Sequence, residues 1–291
     1  MHALWSMNRL LTSRSCLLFF SYLFFRQYTE STQPLYKAIG RLFLNFPSGD
    51  ILCTGTLVEG EFDRVVIATA AHCVYDTEFN TFASNIMFIP GQDDGGGDGS
   101  DRDCSNDPYG CFYPTFAVIS LEYVNAADFD GGREFDYAFL VAADTETTNQ
   151  QNQPLLGVGG GGGPGPTLLD PMPIAFPGIS TGQLIYQFGY PVDQDPQLTY
   201  SSDFRQNAFG VTGVPGNYNP CSGLSAGASG GPWTVSDPSS GTITVNAVTS
   251  YSTSPNGAGT APYTSKAGCV YAGANSLPLG SASTVVDCSN P

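Results

Sequence analysis

The sequence predicts an all-β protein in two halves, and three observations carry that prediction. Short apolar or alternating runs recur where helical periodicity is scarce, and 35 glycines and 21 prolines among 291 residues supply turns between them. Runs of that length with that punctuation are the mark of a sandwich or barrel. The third observation is Gly157-Val158-Gly159-Gly160-Gly161-Gly162-Gly163-Pro164-Gly165-Pro166, too rich in glycine to hold regular structure and so a flexible connector. It separates residues 37–156 from residues 167–291.

Taken in order, the expected strands before the connector are residues 41–46, 51–58, 65–70, 86–89, 116–123 and 137–142. After it come 184–188, 208–211 and 242–248. Closing such strands into barrels would remove the exposed edges they create. Ahead of them, residues 1–26 carry Arg9 and Arg14 and then the apolar run from Cys16 to Phe25, about half of what a helix needs to cross a bilayer. That pattern reads as a secretory signal peptide, with an uncleaved anchor as the alternative; no small-x-small pair marks a cleavage site cleanly. Residues 27–36 would be a short propeptide or N-terminal extension. The mature chain of about 265 residues suffices for one large or two modest compact units.

Charge narrows the function. The formal net charge is −16, and the ten Lys and Arg are scattered, three of them in the signal region. Nucleic-acid binding needs a basic patch, so it is excluded as an expectation; acidity of this kind suits a soluble, extracellular protein. The segment from Asp93 to Asp103 gathers carboxylates and glycines, but it lacks EF-hand spacing and reads as a solvated loop rather than a calcium site. Cys53, Cys73, Cys104, Cys111, Cys221, Cys269 and Cys288 remain after signal removal. Cys104 with Cys111 would close a small surface loop, while Cys221, Cys269 and Cys288 offer one pair and one leftover. Zinc is the rival use, but no C-x-x-C is present, so neither metal nor cofactor is expected.

The candidate chemistry centres on Gly227-Ala228-Ser229-Gly230-Gly231-Pro232-Trp233, where a hydroxyl nucleophile, Ser229, is flanked by glycines. Such a turn can aim two N–H groups at one point, and those of Gly227 and Ser229 are the candidate oxyanion donors. A serine nucleophile needs a base. Only His2 and His72 exist, and His2 lies in the segment expected to be removed. The G-x-S-x-G of α/β-hydrolases also fits the serine, but that fold places its histidine after the serine, and none follows Ser229. Asp136, opening the apolar run at residues 137–142, is the candidate third member; Asp128 and Asp130 sit among Ala, Asp and Gly and read as loop. The order His72, Asp136, Ser229 is that of chymotrypsin and not of subtilisin.

Thr69-Ala70-Ala71-His72-Cys73, Asp136-Tyr137-Ala138 and Gly227-Ala228-Ser229-Gly230-Gly231-Pro232 together resemble the chymotrypsin-like (trypsin-like) serine peptidases. Ile39-Gly40-Arg41-Leu42-Phe43, Cys53-Thr54-Gly55-Thr56-Leu57-Val58, Phe188-Gly189-Tyr190-Pro191 and Ser229-Gly230-Gly231-Pro232-Trp233 resemble the V8-like and bacterial trypsin-like branch. The likeness spans roughly residues 37–255 and leaves the tail unassigned. It implies two six-stranded antiparallel β-barrels with the active site in the cleft between them. It further implies a Cys53–Cys73 bridge beside the histidine, and an endopeptidase that acts on protein or peptide substrates without a cofactor. The N-terminal run and the cysteines make it an expected secreted protein, without stable membrane association after signal cleavage, and a monomer is the expectation for an oligomeric state the sequence leaves open. Ser250-Tyr251-Ser252 resembles the family's substrate-binding edge strand, although an ordinary strand end is the alternative. One departure matters: digestive trypsins place before the serine an aspartate that receives a newly cut N-terminal ammonium, and here that position is Ala228. An inactive, binding homologue and an esterase on the same scaffold are the competing functions.

Overall fold

The computed structural model describes residues 34–61, 64–92, 102, 107, 109–143, 169–194, 198–204, 206–207, 217–220, 222–236, 240–253 and 257–291. The signal peptide, the connector at 157–166, the expected strand at 208–211, nearly all of the acidic loop at 93–103, Cys104 and Cys221 lie outside the described residues.

Two seven-stranded β-sheets dominate the described residues. The first is built from β1 (Ile39–Phe46), β2 (Gly49–Val58), β3 (Arg64–Thr69), β6 (Ser84–Pro90), β7 (Phe116–Ser120) and β8 (Ala138–Ala143); β4 (Tyr75–Asp76) and β5 (Thr81–Phe82) form a separate hairpin. The second holds β9 (Leu184–Gly189), β10 (Thr199–Phe204), β11 (Gln206–Asn207), β12 (Asn217–Asn219), β13 (Pro232–Ser236), β14 (Ile243–Thr253) and β15 (Gly257–Pro262). A last strand, β16 (Thr284–Val286), joins the first sheet beside β7, the one parallel pairing between named strands among the described residues. The fold is the all-β, two-barrel one expected, but each set of six antiparallel strands gains a short seventh: β16 in the first sheet, β11 in the second.

Apolar runs dictate the inner strands. Val65, Val66 and Ile67 of β3 are at most 1% exposed, because β2 and β8 flank the strand and side chains on both faces are covered. Burying each contributes about 1.5–3 kcal/mol relative to leaving it in water. The expected strand at 116–123 stops early. Ser120 accepts a hydrogen bond from the Tyr123 N–H (3.2 Å) and caps a one-turn helix, α2 (Leu121–Val124), which follows α1 (Ala71–Val74) in the chain. A serine that offers its own oxygen to the backbone competes with the strand ladder in this way.

Residues 172–174 tie the sheets together, Met172 bridging Val58 of β2 and Ile174 bridging Val245 of β14. The tail that the sequence left unassigned returns to the first sheet. After α3 (Phe129–Gly132) earlier in the chain, the longest helix among the described residues, α4 (Ser265–Ser276), packs against β7 and β8. Its Ala274 carbonyl accepts from Arg64 (2.9 Å), and the Asn275 side chain accepts the Glu61 N–H (2.8 Å).

Two disulfides are described in full. Cys53–Cys73 closes a loop with a sequence separation of 20, matching the bridge that the resemblance implied, and Cys269–Cys288, separation 19, resolves a pairing that sequence had left open. Cys111 is also disulfide-bonded. Replacing Cys53 and Cys73 together by serine is expected to remove about 3 kcal/mol of stability, since a crosslink of that span restricts the unfolded chain. Thermal melts followed by circular dichroism should show a Tm roughly 10 °C lower; an unchanged Tm would refute the estimate.

Candidate active site

β3 and β8 are antiparallel partners with Thr69 opposite Ala138, so residues just past the end of one strand meet those just before the other. His72 lies three residues beyond Thr69, in the single turn of α1, and Asp136 two residues ahead of Ala138. The register therefore brings them together. Asp136 is fully buried, and its carboxylate accepts from three donors: the His72 backbone N–H at 2.8 Å, the imidazole Nδ1 at 2.7 Å and the Ser250 hydroxyl at 2.6 Å. A carboxylate can only accept, so Nδ1 carries the imidazole proton and Nε2 keeps its lone pair. Burial works against protonating His72, but the charge of Asp136 and its hydrogen bond outweigh it and hold the imidazole above its ordinary value.

Ser250 reaches Asp136 through an irregularity in the sheet. Along β14 and β15, Thr249 pairs with Thr260 and Tyr251 with Gly259, so Ser250 is the extra residue of a bulge. Bulges beside active sites re-aim a side chain. Here the hydroxyl is turned onto Asp136, so of the three expected substrate-binding residues Ser250 has a further partner. Tyr251 is buried, with the Arg133 guanidinium 4.2 Å over its ring, and Ser252 is exposed. Arg133 also lies 5.4 Å over the Phe129 ring and pairs with Asp130 at 2.5 Å, while Phe129 meets the His72 ring edge-on at 5.8 Å. Asp128 caps α3 by accepting the Gly131 N–H (2.8 Å). Both loop aspartates thus have structural partners, and the carboxylate at the histidine is that of Asp136.

Ser229 sits in a turn shaped by two glycines in the left-handed region, Gly227 at φ +91° and Gly230 at φ +80°. A Cβ on Gly230 would fall 2.1 Å from Thr69 Oγ1 and 2.4 Å from the Thr54 carbonyl, so the turn presses on the end of the strand that leads to His72. Among the described residues the Ser229 hydroxyl makes no hydrogen bond to His72; such contacts are often long in unliganded sites and tighten with substrate.

The peptide groups of this turn are held one by one. The Ala226 carbonyl accepts the Val192 N–H (2.9 Å), and the Ala228 carbonyl accepts that of Gly231 (3.0 Å). The Ala228 and Gly230 N–H groups donate to Ser225 (3.1 Å) and Thr249 (2.8 Å) carbonyls. The N–H groups of Gly227 and Ser229 donate to nothing among the described residues, although the far end of each peptide is pinned. Donors left unspent in this way are available to a negatively charged atom.

Cys53, His72 and Cys73 place three potential metal-ligand atoms within 4.8 Å of one another. The two sulfurs share a disulfide and offer no thiolate, so this donor set does not fit a metal. Sequence reasoning missed Thr54, whose hydroxyl donates to the Gly227 carbonyl at 2.9 Å, as well as the Ser250 contact to Asp136. Both residues lie in stretches that the resemblance had marked, Ser250 as a substrate-binding candidate and Thr54 within Cys53-Thr54-Gly55-Thr56-Leu57-Val58, but nothing in the sequence gives the partners their hydroxyls take.

No protein-family model matches the chain, and no curated protein does. Solved structures do match. The thermostable serine protease AL20 from an extremophilic microorganism is 26% identical with a TM-score of 0.63, over 84% of this chain and 100% of that one. Protease Anisep from Arthrobacter nicotinovorans is 20% identical with a TM-score of 0.62, over 84% and 98%; a Glu endopeptidase is 17% identical with a TM-score of 0.60, over 87% and 96%. The last two likenesses concern the fold alone. The chain shares the fold of these serine proteases.

Proposed function

We propose that the chain is a secreted endopeptidase that cleaves peptide bonds with Ser229 as nucleophile, His72 as general base and Asp136 as the group that orients and charges the imidazole. The observation that carries this reading is the two-point hold of the buried Asp136 carboxylate on His72, through the backbone N–H and through Nδ1. It fixes the tautomer in which Nε2 can take a proton.

In the proposed cycle, His72 Nε2 removes the hydroxyl proton as Ser229 Oγ adds to the scissile carbonyl carbon. The negative charge that forms on the carbonyl oxygen is met by the Gly227 and Ser229 amides. His72 then gives the proton to the leaving amine as the C–N bond breaks, leaving an ester on Ser229. Water, deprotonated by His72, adds to that ester, and the serine leaves with the proton returned. An extended substrate would pair with the main chain of β14 around Ser250, Tyr251 and Ser252, which is strand addition. Disulfides and the N-terminal apolar run are the features that favour export.

A fluorophosphonate probe tests the nucleophile. The wild-type chain is expected to take up label at Ser229, and Ser229→Ala to take up none above background. Equal labelling of the two proteins would remove Ser229 from the mechanism. A peptide-library cleavage profile then separates peptidase from esterase, because turnover confined to small esters would exclude the peptidase reading.

A further inference from the structure

Alanine at 228 cannot receive an ammonium, so a side-chain charge next to Ser229 does not order the turn. Part of what holds it comes from the other sheet. Thr54, on β2 and fully buried, sends each of its polar groups into the site. Its main-chain N–H donates to the Ser229 carbonyl at 2.8 Å, and its hydroxyl donates to the Gly227 carbonyl at 2.9 Å while accepting the Tyr190 N–H at 2.9 Å. Its own carbonyl accepts the Thr69 hydroxyl at 2.9 Å, three residues before His72. One residue therefore grips the carbonyls on both sides of Ala228 and joins them to the segment that carries the base.

From this geometry we infer that Thr54 is the positioning residue of the oxyanion turn, holding the Gly227 and Ser229 amides in convergence through its hydroxyl and its backbone N–H. The inference rests on the oxyanion role proposed for those amides. Gly227 needs such a clamp because the absence of a Cβ that permits φ +91° also permits other dihedrals. The hydroxyl is directional: Tyr190 can only donate to it, which commits its single proton to the Gly227 carbonyl. Rotating the peptide after Gly227 would strand that proton in a buried site and break the Ala228 bond to Ser225 as well. The turn is thus ordered by a contact built into the two sheets, with no charged partner needed.

The test compares Thr54→Val, which keeps the shape and loses the hydroxyl, with Thr54→Ser, which keeps the hydroxyl, in the mature chain. Acylation by p-nitrophenyl acetate is expected to show kcat reduced about 10–100-fold in the valine variant with KM within about twofold, and the serine variant within about threefold of wild type. Hydrogen exchange read by mass spectrometry should be at least about tenfold faster across residues 222–231 in the valine variant and unchanged in β3. Should Thr54→Val not fold, Thr54→Ala is read by the same two measurements, with the same direction expected. Equal losses in the hydroxyl-bearing and hydroxyl-free variants, or unaltered exchange at 222–231, would overturn the assignment. If the wild-type chain is not acylated yet exchange follows the expected pattern, the catalytic reading falls and the positioning role of Thr54 stands.

Discussion

Replacing Ser229 or His72 with alanine is expected to lower kcat by about 10⁶-fold, and replacing both by no more than replacing one. The reason lies in how the proposed site divides its work. The hydroxyl is a poor nucleophile until its proton leaves, and an imidazole with no serine to serve accelerates little by itself. Each variant should therefore retain what the two undonated amides and the substrate-binding strand contribute, roughly 10³–10⁴ over the uncatalysed reaction. Substrate affinity, read as KM where chemistry is slow, should stay within a few-fold, because neither side chain is needed to pair β14 with an extended peptide. Steady-state kinetics on a chromogenic peptide measures all three proteins. Additive losses, with the double variant some orders of magnitude below either single one, would show that the two residues do not act as a unit.

The parts of this site that were legible in the sequence are those with few alternatives. The chain holds two histidines, and only one lies beyond the apolar N-terminal run, so His72 follows almost by elimination. Ser229 shows through its glycines, whose left-handed dihedrals the structure bears out at Gly227 and Gly230. The strands that deliver His72 and Asp136, β3 and β8, are continuous apolar runs, and burial on both faces requires that composition.

The rest was hidden for reasons that are equally physical. β10, β12 and β15 are rich in Ser, Thr, Asn and Gly, and buried polar pairs such as Asn219 with Gln187 (3.2 Å) support them in place of an apolar alternation. The helix α4, Ser-Lys-Ala-Gly-Cys-Val-Tyr-Ala-Gly-Ala-Asn-Ser, carries two glycines and buries mostly small side chains, so no apolar stripe announces it. A disulfide to Cys288 and a seat on β7 and β8 supply what its sequence lacks. Ser250 and Thr54 stood in stretches that the sequence had marked, but their contacts run through a bulge and between sheets, so the partners of their hydroxyls show only once the sheets are assembled.

The sharpest discriminating experiment concerns Asp136, because its replacement should change both a rate and a proton affinity. Asp136→Asn is expected to lower kcat about 10⁴-fold near neutral pH. An amide nitrogen facing Nδ1 would favour the tautomer that carries its proton on Nε2, where the base must be bare. The variant also loses the charge that raises the proton affinity of His72. In the wild type, burial pulls that affinity down and Asp136 more than restores it, so the rising limb of kcat/KM against pH should lie above the ordinary histidine value of 6.5. In the variant only burial is left, and the limb should fall below that value. Stability runs with the opposite sign. A folded-state affinity raised above the unfolded one makes His72 stabilising at pH below the unfolded value, and this contribution fades as pH climbs through the folded value. Wild-type activity should thus rise over the same interval in which the His72 contribution to stability is lost, whereas in Asp136→Asn acidification should destabilise through His72. Paired pH–rate and pH–Tm curves read both signs, and coincident rate limbs in the two proteins would break the link between Asp136 and the imidazole on which the mechanism depends.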